Sequence, residues 1–425
     1  MTAIRPFRAL RYDAGRVDLD RVIAPPYDVV TPEERRRYWE RDPHSAIRLE
    51  LTREVADEAT TDYRDAADTL AEWRRAGILR RDPRPALYAL RQRFPGPRGE
   101  PRVREGFFAL LRLEDYERRV VRPHERTLAG PKADRLKLLR ATRANLSPIF
   151  LLYEDPGRAL TGLLSARLDA GPQQLARDPA GVEHALVAID DAEAVGAVQA
   201  FLAARPVVIA DGHHRYETAL AYRDECRRSR PDAGAEAPFE FTLAYFADAY
   251  APGSLLLPIH RVVREAAAPA DDAAWAERLP GWRMTRVACA SVEALPEILA
   301  RQLAPLSDRI AFAADDGSGT LRVFTREPSD ELGIRAIHRE VLAGAFGLDE
   351  AAVRDGAVAF PKLATEAARE VRAGRGSVAL YLNPLRPEDV FRVTGAGEIL
   401  PQKSTFFMPK IPSGLLFRSF DEDAP

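Results

Sequence analysis

The chain has 425 residues, 46% hydrophobic and 30% charged, with 62 basic against 64 acidic side chains and a net charge of −2. That length points to two or three domains, and the charge balance argues against a dedicated nucleic-acid binder. No stretch approaches the roughly 18 apolar residues of a membrane span, and "MTAIRPFRALRYD" carries charges where a signal peptide needs its apolar core.

Two cysteines without CxxC spacing, Cys226 and Cys289, fit a reduced cytoplasm and give no structural zinc site. Only five basic residues are lysine: Lys132, Lys137, Lys362, Lys403 and Lys410. A GC-rich genome drifts toward arginine codons. A lysine that persists in such a chain marks a place where a compact point charge is wanted rather than a planar fork. Two segments are singled out this way, "AGPKADRLKLL" and "PQKSTFFMPK".

In chain order, "VIAPPYDVV" (22–30) reads as an apolar strand interrupted by Pro25-Pro26, then a turn presenting Tyr27 and Asp28. Thr31-Pro32-Glu33-Glu34 reads as a helix start, with Thr at the N-cap, Pro at the first position and acids in the first turn. "SAIRLELT" (45–52) alternates like a strand, and residues 55–79 read as a helix. "PALYALRQRF" and "VREGFFALLRLE", with a Gly/Pro turn between them, predict a hairpin. Strands are expected in 145–155 and in "GVEHALVAI", after which Asp190-Asp191 caps a helix to about residue 203. Further strands are read at 206–210, 239–248 and 254–263, a hairpin at 308–325 and a strand at 377–384. The mixture lacks strict β-α-β alternation, so the expected class is α+β, or mixed α/β.

The densest chemistry lies in "VVIADGHHRYETAL", residues 207–220. A strand ends at Asp211-Gly212 and a helix opens on His213, His214 and Arg215. Three uses compete. Neighbouring histidines in a turn diverge, so a metal site made of them with Asp211 is poor. A purely structural turn is the plain alternative. The favoured use is an anion cradle: free backbone N–H groups and the helix dipole point at one spot, Gly212 lets the backbone come close, and Arg215 and a histidine add donors. Asp211 then positions a metal-bound phosphate or accepts a proton.

Other clusters follow. "VRPHERTLAGPKADRLKLL" gathers His124, Glu125, Arg126, Thr127, Lys132, Asp134, Arg135 and Lys137. Its His-Glu-Arg-Thr part precedes a Gly-Pro loop, and loops carry function more often than helix faces do. Glu125 is the candidate general base, Lys132 a phosphate ligand, and His124 a substrate contact beside Tyr27 and Asp28. Lys403-Ser404-Thr405 lacks the glycines of a P-loop and is read as a C-terminal clamp. A structural role suits His260 in "LPIHRVV", and a plain hairpin turn suits "DDGSGT".

The strand followed by "DGHHRYETAL" resembles the phosphate-binding turn of the ParB/sulfiredoxin fold, and its Asp-Gly-His-His-Arg version is similar to that of free serine kinases. Gly212 and Arg215 match that turn throughout, and His214 matches the sulfiredoxin histidine. His213 stands where sulfiredoxins keep their catalytic cysteine, so sulfinic-acid repair is not implied. Across nearly the whole chain, "IRPFRALRYD", "VIAPPYDVV", "HERT", "IADGHHRYETA", "LPIHR" and "PQKSTFFMPK" resemble, in order, the bacterial domain of unknown function 1015.

The resemblance implies a nucleotide-binding core with a large insertion: residues 1–84 as its first part, 85–204 inserted, 205–265 carrying the phosphate turn, and 266–425 a C-terminal α/β domain. The implied activity is a cytoplasmic kinase that uses ATP or ADP with Mg²⁺. Its acceptor is a small hydroxylated metabolite, with free serine the leading guess. Catalytic candidates are Asp211 (also the metal candidate), His213 and Glu125. Phosphate-binding candidates are Gly212, His214, Arg215, Lys132 and Lys403. Two alternatives stay open: a ParB-like nucleotide switch, and a metal-dependent hydrolase using His213, His214 and His124. Neither a membrane nor a nucleic acid is expected as a partner, and a homodimer is left open.

Overall fold

Strand alternation in "ALYALRQRF" and "REGFFALLR" sets one face of a large mixed sheet. The computed structural model describes every residue except 55–60, 98, 126–128, 328–330 and 423–425. It divides into two units, Met1–Leu255 with Pro409–Pro425, and Leu256–Met408.

In the first unit the strands are β1 (Ile4–Arg5), β2 (Leu87–Pro95), β3 (Pro101–Arg112), β4 (Val121–Arg122), β5 (Ile149–Tyr153), β6 (Gln174–Arg177), β7 (Glu183–Ile189), β8 (Val207–Asp211) and β9 (Phe241–Asp248). They lie in the order β4-β8-β5-β9-β3-β2-β7-β6, with β1 added beside β3. Pairs β4–β8 and β5–β9 are parallel, while β8–β5, β9–β3, β3–β2 and β2–β7 are antiparallel. The chain is thus a mixed α/β protein.

Residues two apart share a face. Phe107, Ala109 and Leu111 of β3 join Ile149, Leu151 and Tyr153 of β5 and Val207 and Ile209 of β8 in one core. Onto that face pack Leu160, Leu164 and Leu168 of one helix (Ala159–Ala170) and Ala194, Val198 and Leu202 of another (Ala192–Ala203). The four-residue spacing gives each helix a single apolar stripe. Asp191 caps the second of them, its side chain accepting from the Ala194 N–H, as the sequence predicts.

The N-terminal part keeps some expectations and corrects two. Residues 22–30 do not begin as the expected strand: Val22 ends a helical turn (Leu19–Val22) and Tyr27–Val29 is a 3-10 turn, since Pro25-Pro26 removes the N–H groups a strand would need. Thr31 caps the helix Pro32–Arg41 in a reciprocal box with Glu34. Residues 45–52 do not form the expected strand: Ile47–Glu50 is a single helical turn. Alternation over so few residues fits one turn of helix as well as a strand, since Ile47, Leu49 and Glu50 are all buried there. The helix expected over 55–79 is Arg64–Arg75, and residues 55–60 lie outside the described residues.

The last residues of the chain return to the first unit. Ser413 exchanges both backbone hydrogen bonds with Ala24, and Phe417 does so with Leu10. Arg418 and Ser419 pair with Asn145 and Ala144. Arg418 is fully buried, donating to the Pro238 carbonyl at 2.6 Å and to Asn145 Oδ1 at 3.2 Å. This anchoring brings Lys410 to the end of β8, 199 residues away in sequence.

The second unit holds an antiparallel sheet of β10 (Arg261–Val263), β11 (Arg283–Ala288), β12 (Ile310–Asp315), β13 (Thr320–Arg326), β14 (Val358–Ala359) and β15 (Val378–Leu382), ordered β11-β13-β12-β15-β10-β14. Asp315 and Asp316 accept from the Gly317 and Ser318 N–H groups in the predicted hairpin turn. His260 is buried, and its Nδ1 accepts the Leu382 N–H at 3.4 Å.

Candidate functional site

The site forms where β8 ends and the helix α1 (His213–Ser229) begins. The register with β5 shifts between Ile209 and Asp211, so a bulge turns the Asp211 side chain at the strand's last residue. Gly212 follows with φ of 90°, a left-handed conformation that costs other residues about 1–2 kcal/mol. A Cβ there would also stand 2.9 Å from Arg215 Nε, because the guanidinium folds back over the turn. Gly212→Ala is therefore expected to lower stability by about 1–2 kcal/mol or more, read as a shift in denaturation midpoint. A midpoint equal to wild type would show that the turn is not strained.

Asp211 is the hub. Its Oδ1 accepts from Lys410 Nζ at 2.5 Å and its Oδ2 from an Arg215 terminal nitrogen at 2.7 Å. Burial alone would raise this carboxyl. Lys410 and then Arg215 outweigh it and hold the group well below the usual carboxylate range. Arg215 is 11% exposed and also donates to the Pro148 carbonyl. Burial opposes its charge, but Asp211 first, then Asp28, Tyr27 and Glu50, raise its pKa and keep it charged. Two cations thus stand at the N-terminus of a 17-residue helix, where the dipole already favours anions.

The loop after β4 supplies the second part. His124 is fully buried; its Nδ1 donates to the Ile209 carbonyl at 2.5 Å, and its Nε2 lies 3.3 Å from Glu125 Oε1. Its backbone N–H donates to His213 Nε2 at 3.3 Å, and the two rings meet edge to face with centroids 4.6 Å apart. Burial first, and then His124, push the His213 pKa down to about 3, so His213 is neutral with its proton on Nδ1. Together the two histidines clip the Glu125 loop to the strand and the helix. Arg126 and Thr127, singled out in the sequence, lie outside the described residues.

A second helix, α2 (Ala129–Thr142), runs beside α1. It is tied there by Lys132 to Glu217 Oε2 at 2.8 Å and by the ion pair of Arg140 with Glu225. Arg135 stacks over Tyr27, with 4.3 Å from its Cζ to the ring centroid. It also binds Asp134 and the Tyr63 hydroxyl. Burial raises the Tyr27 hydroxyl to about 12, and Asp28, next to it, is exposed.

Of the residues proposed from sequence, Asp211, Gly212, His213 and Arg215 meet at one turn, and His124 and Glu125 join through His213. His214 is half-buried in the first turn of α1, and Tyr27 faces Arg135. Lys132 lies on α2 in an ion pair. Lys403 belongs to the second unit. Two residues escaped the sequence reading. The scarcity of lysine pointed at the segment holding Lys410, but the choice there fell on Lys403. Glu50 gave no signal, because it looked like the polar member of an alternating strand. Among the described residues, no three His, Cys, Asp or Glu side chains gather as a metal-holding group.

A family model described as "Protein of unknown function (DUF1015)" matches residues 4–293. No curated protein matches the sequence. Among solved structures, the chain is similar to a conserved hypothetical protein from Pyrococcus furiosus, at 14% identity and a TM-score of 0.34, over 71% of this chain and 94% of that one. It is similar to a free serine kinase in complex with AMP, at 16% identity and a TM-score of 0.34, over 70% and 89%. It is also similar to C-terminally truncated SbnI from Staphylococcus aureus, at 12% identity and a TM-score of 0.36, over 72% and 85%.

Proposed function

The chain belongs to the DUF1015 family, and from that premise we propose that it is a nucleotide-dependent kinase for a small hydroxylated metabolite. The observation that carries this reading is the cationic helix start. Beyond a left-handed glycine, Arg215 and Lys410 converge on one ionised carboxylate at the opening of α1. Phosphoryl transfer asks mostly for positioning and charge neutralisation, and this arrangement offers both to a polyphosphate. The similarity of the Asp-Gly-His-His-Arg turn to that of free serine kinases agrees with it and makes free serine the first acceptor to try.

The roles are as follows. The N–H groups that follow Gly212, with Arg215 and Lys410, receive the transferring phosphate; His214 and Lys132 border it. Glu125 takes the proton of the acceptor hydroxyl. The acceptor oxygen then bonds to the terminal phosphorus while the bond from phosphorus to the leaving nucleotide oxygen breaks. His124 and His213 are buried, so they hold Glu125 and the turn in place rather than touch substrate. Tyr27 and Asp28 border the acceptor side. Asp211, the metal candidate, has one oxygen engaged by lysine and the other by arginine, so it does not fit as a Mg²⁺ ligand. Its role is to fix the two cations.

The test is a nucleotide-consumption assay with ATP or ADP, with and without Mg²⁺, across small hydroxy compounds that include serine. Consumption that depends on one acceptor class is expected. Consumption independent of any acceptor would favour a switch or hydrolase, and no consumption across the panel would overturn the kinase reading.

A further inference from the structure

Next to Arg215, on the first unit, lies a cavity of about 60 Å³ lined by Tyr27, Glu50, Arg135, Asn145, Ser147 and Thr218, among others. A single water needs about 10–15 Å³ on this measure, so there is room for a small head group. Glu50 is 2% exposed. Its Oε2 accepts from Ser147 Oγ at 3.2 Å, but among the described residues Oε1 has no hydrogen-bond partner. Burial pushes the Glu50 carboxyl up and nearby Ser413 draws it partly back, while Ser413 Oγ, like Glu50 Oε1, has no hydrogen-bond partner among the described residues. A buried acceptor left unmet costs about 1–3 kcal/mol. Folding gives no evident return for that cost at Glu50, and a ligand would supply one.

The chemistry of the wall selects the ligand. Arg135 and Arg215 both face the cavity, so an ammonium group would meet two guanidiniums. Glu50 faces it too, which disfavours a carboxylate or phosphate. Both arginines are already paired, Arg135 with Asp134 and Arg215 with Asp211. An uncharged O–H group suits this surrounding. We propose that this cavity is a docking subsite for a second, non-reacting hydroxyl of the acceptor, received by Glu50 Oε1. Among the small hydroxylated acceptors of the kinase reading, this subsite favours one that carries a second hydroxyl over free serine, whose other polar groups are an amine and a carboxylate. This rests on the kinase reading, because it is Arg215 that joins the cavity to the phosphate turn.

The experiment is ligand-observed NMR with glycerol as an uncharged probe and ethanolamine as a cationic one, on the full chain with ADP present, paired with ADP and ATP titrations. Wild type is expected to show saturation transfer to glycerol and at least fivefold less to ethanolamine. Glu50→Met keeps the volume and removes both oxygens; it is expected to cut the glycerol signal at least fivefold and leave ADP affinity unchanged. Glu50→Gln retains one oxygen and is expected to fall between. If Glu50→Met does not fold, Glu50→Gln must weaken glycerol at least twofold. Absent glycerol transfer in wild type, signals unchanged in the variants, or ethanolamine preferred over glycerol would overturn the subsite. Failure of both ADP and ATP to bind would instead overturn the kinase reading, so the two failures are distinguishable.

Discussion

Glu125→Gln is expected to slow acceptor-dependent nucleotide consumption by about 10²–10⁴-fold, the usual contribution of a positioned general base. Nucleotide affinity is expected to stay within twofold of wild type. The substitution keeps the side chain's shape and a hydrogen-bonding group toward His124 Nε2, 3.3 Å away. What it removes is the ability to take a proton. The loss should therefore fall in kcat, with little change in KM for nucleotide. A kcat within threefold of wild type would remove Glu125 from the chemistry and leave its pairing with His124 as a structural clip.

The second large effect concerns stability. Asp211→Asn leaves two mostly buried cations, Lys410 and Arg215, facing one neutral amide. Breaking a buried ion pair by removing one partner costs about 3–5 kcal/mol. That is a large part of the roughly 5–15 kcal/mol that holds an ordinary domain together. The pH dependence has a fixed sign. The folded Asp211 carboxyl is held below its ordinary value of 3.8, so its contribution is present above that value and is lost as pH falls further. Denaturant unfolding near pH 7 should show the full gap between wild type and variant, and the gap should narrow below about pH 4. A gap under about 1 kcal/mol at neutral pH would mean that the pair is worth no more than an exposed surface bridge.

Much of this was legible where local rules apply. Thr31, Pro32 and Glu34 announce a helix start, and the capping box is there. The hairpin of β2 and β3, the strand β8 and the helix that follows Gly212 fall close to their expected positions, because alternation and glycine chemistry act within a few residues. The reading failed where the cause lies far away in sequence. Glu50 sits in a segment whose alternation imitates a strand, and only the fold shows it buried beside Arg135 and Arg215. Lys410 reaches Asp211 because Ser413, Phe417 and Arg418 bind the chain's end to Ala24, Leu10 and Asn145. No local pattern encodes that pairing, and the rarity of lysine could only point to its neighbourhood. Histidines 213 and 214 offer a metal reading by residue type that their adjacency already disfavours. Their surroundings make His213 a neutral acceptor for a backbone N–H instead.

The central claim is that the Gly212–Arg215 turn holds a nucleotide phosphate. Calorimetric titration of ATP and ADP into wild type and Arg215→Ala tests it most directly, with circular dichroism confirming the fold of the variant. Saturable binding to wild type, weakened at least tenfold in Arg215→Ala, is the predicted result. No binding to wild type, or an affinity that survives the loss of Arg215 unchanged, would contradict it.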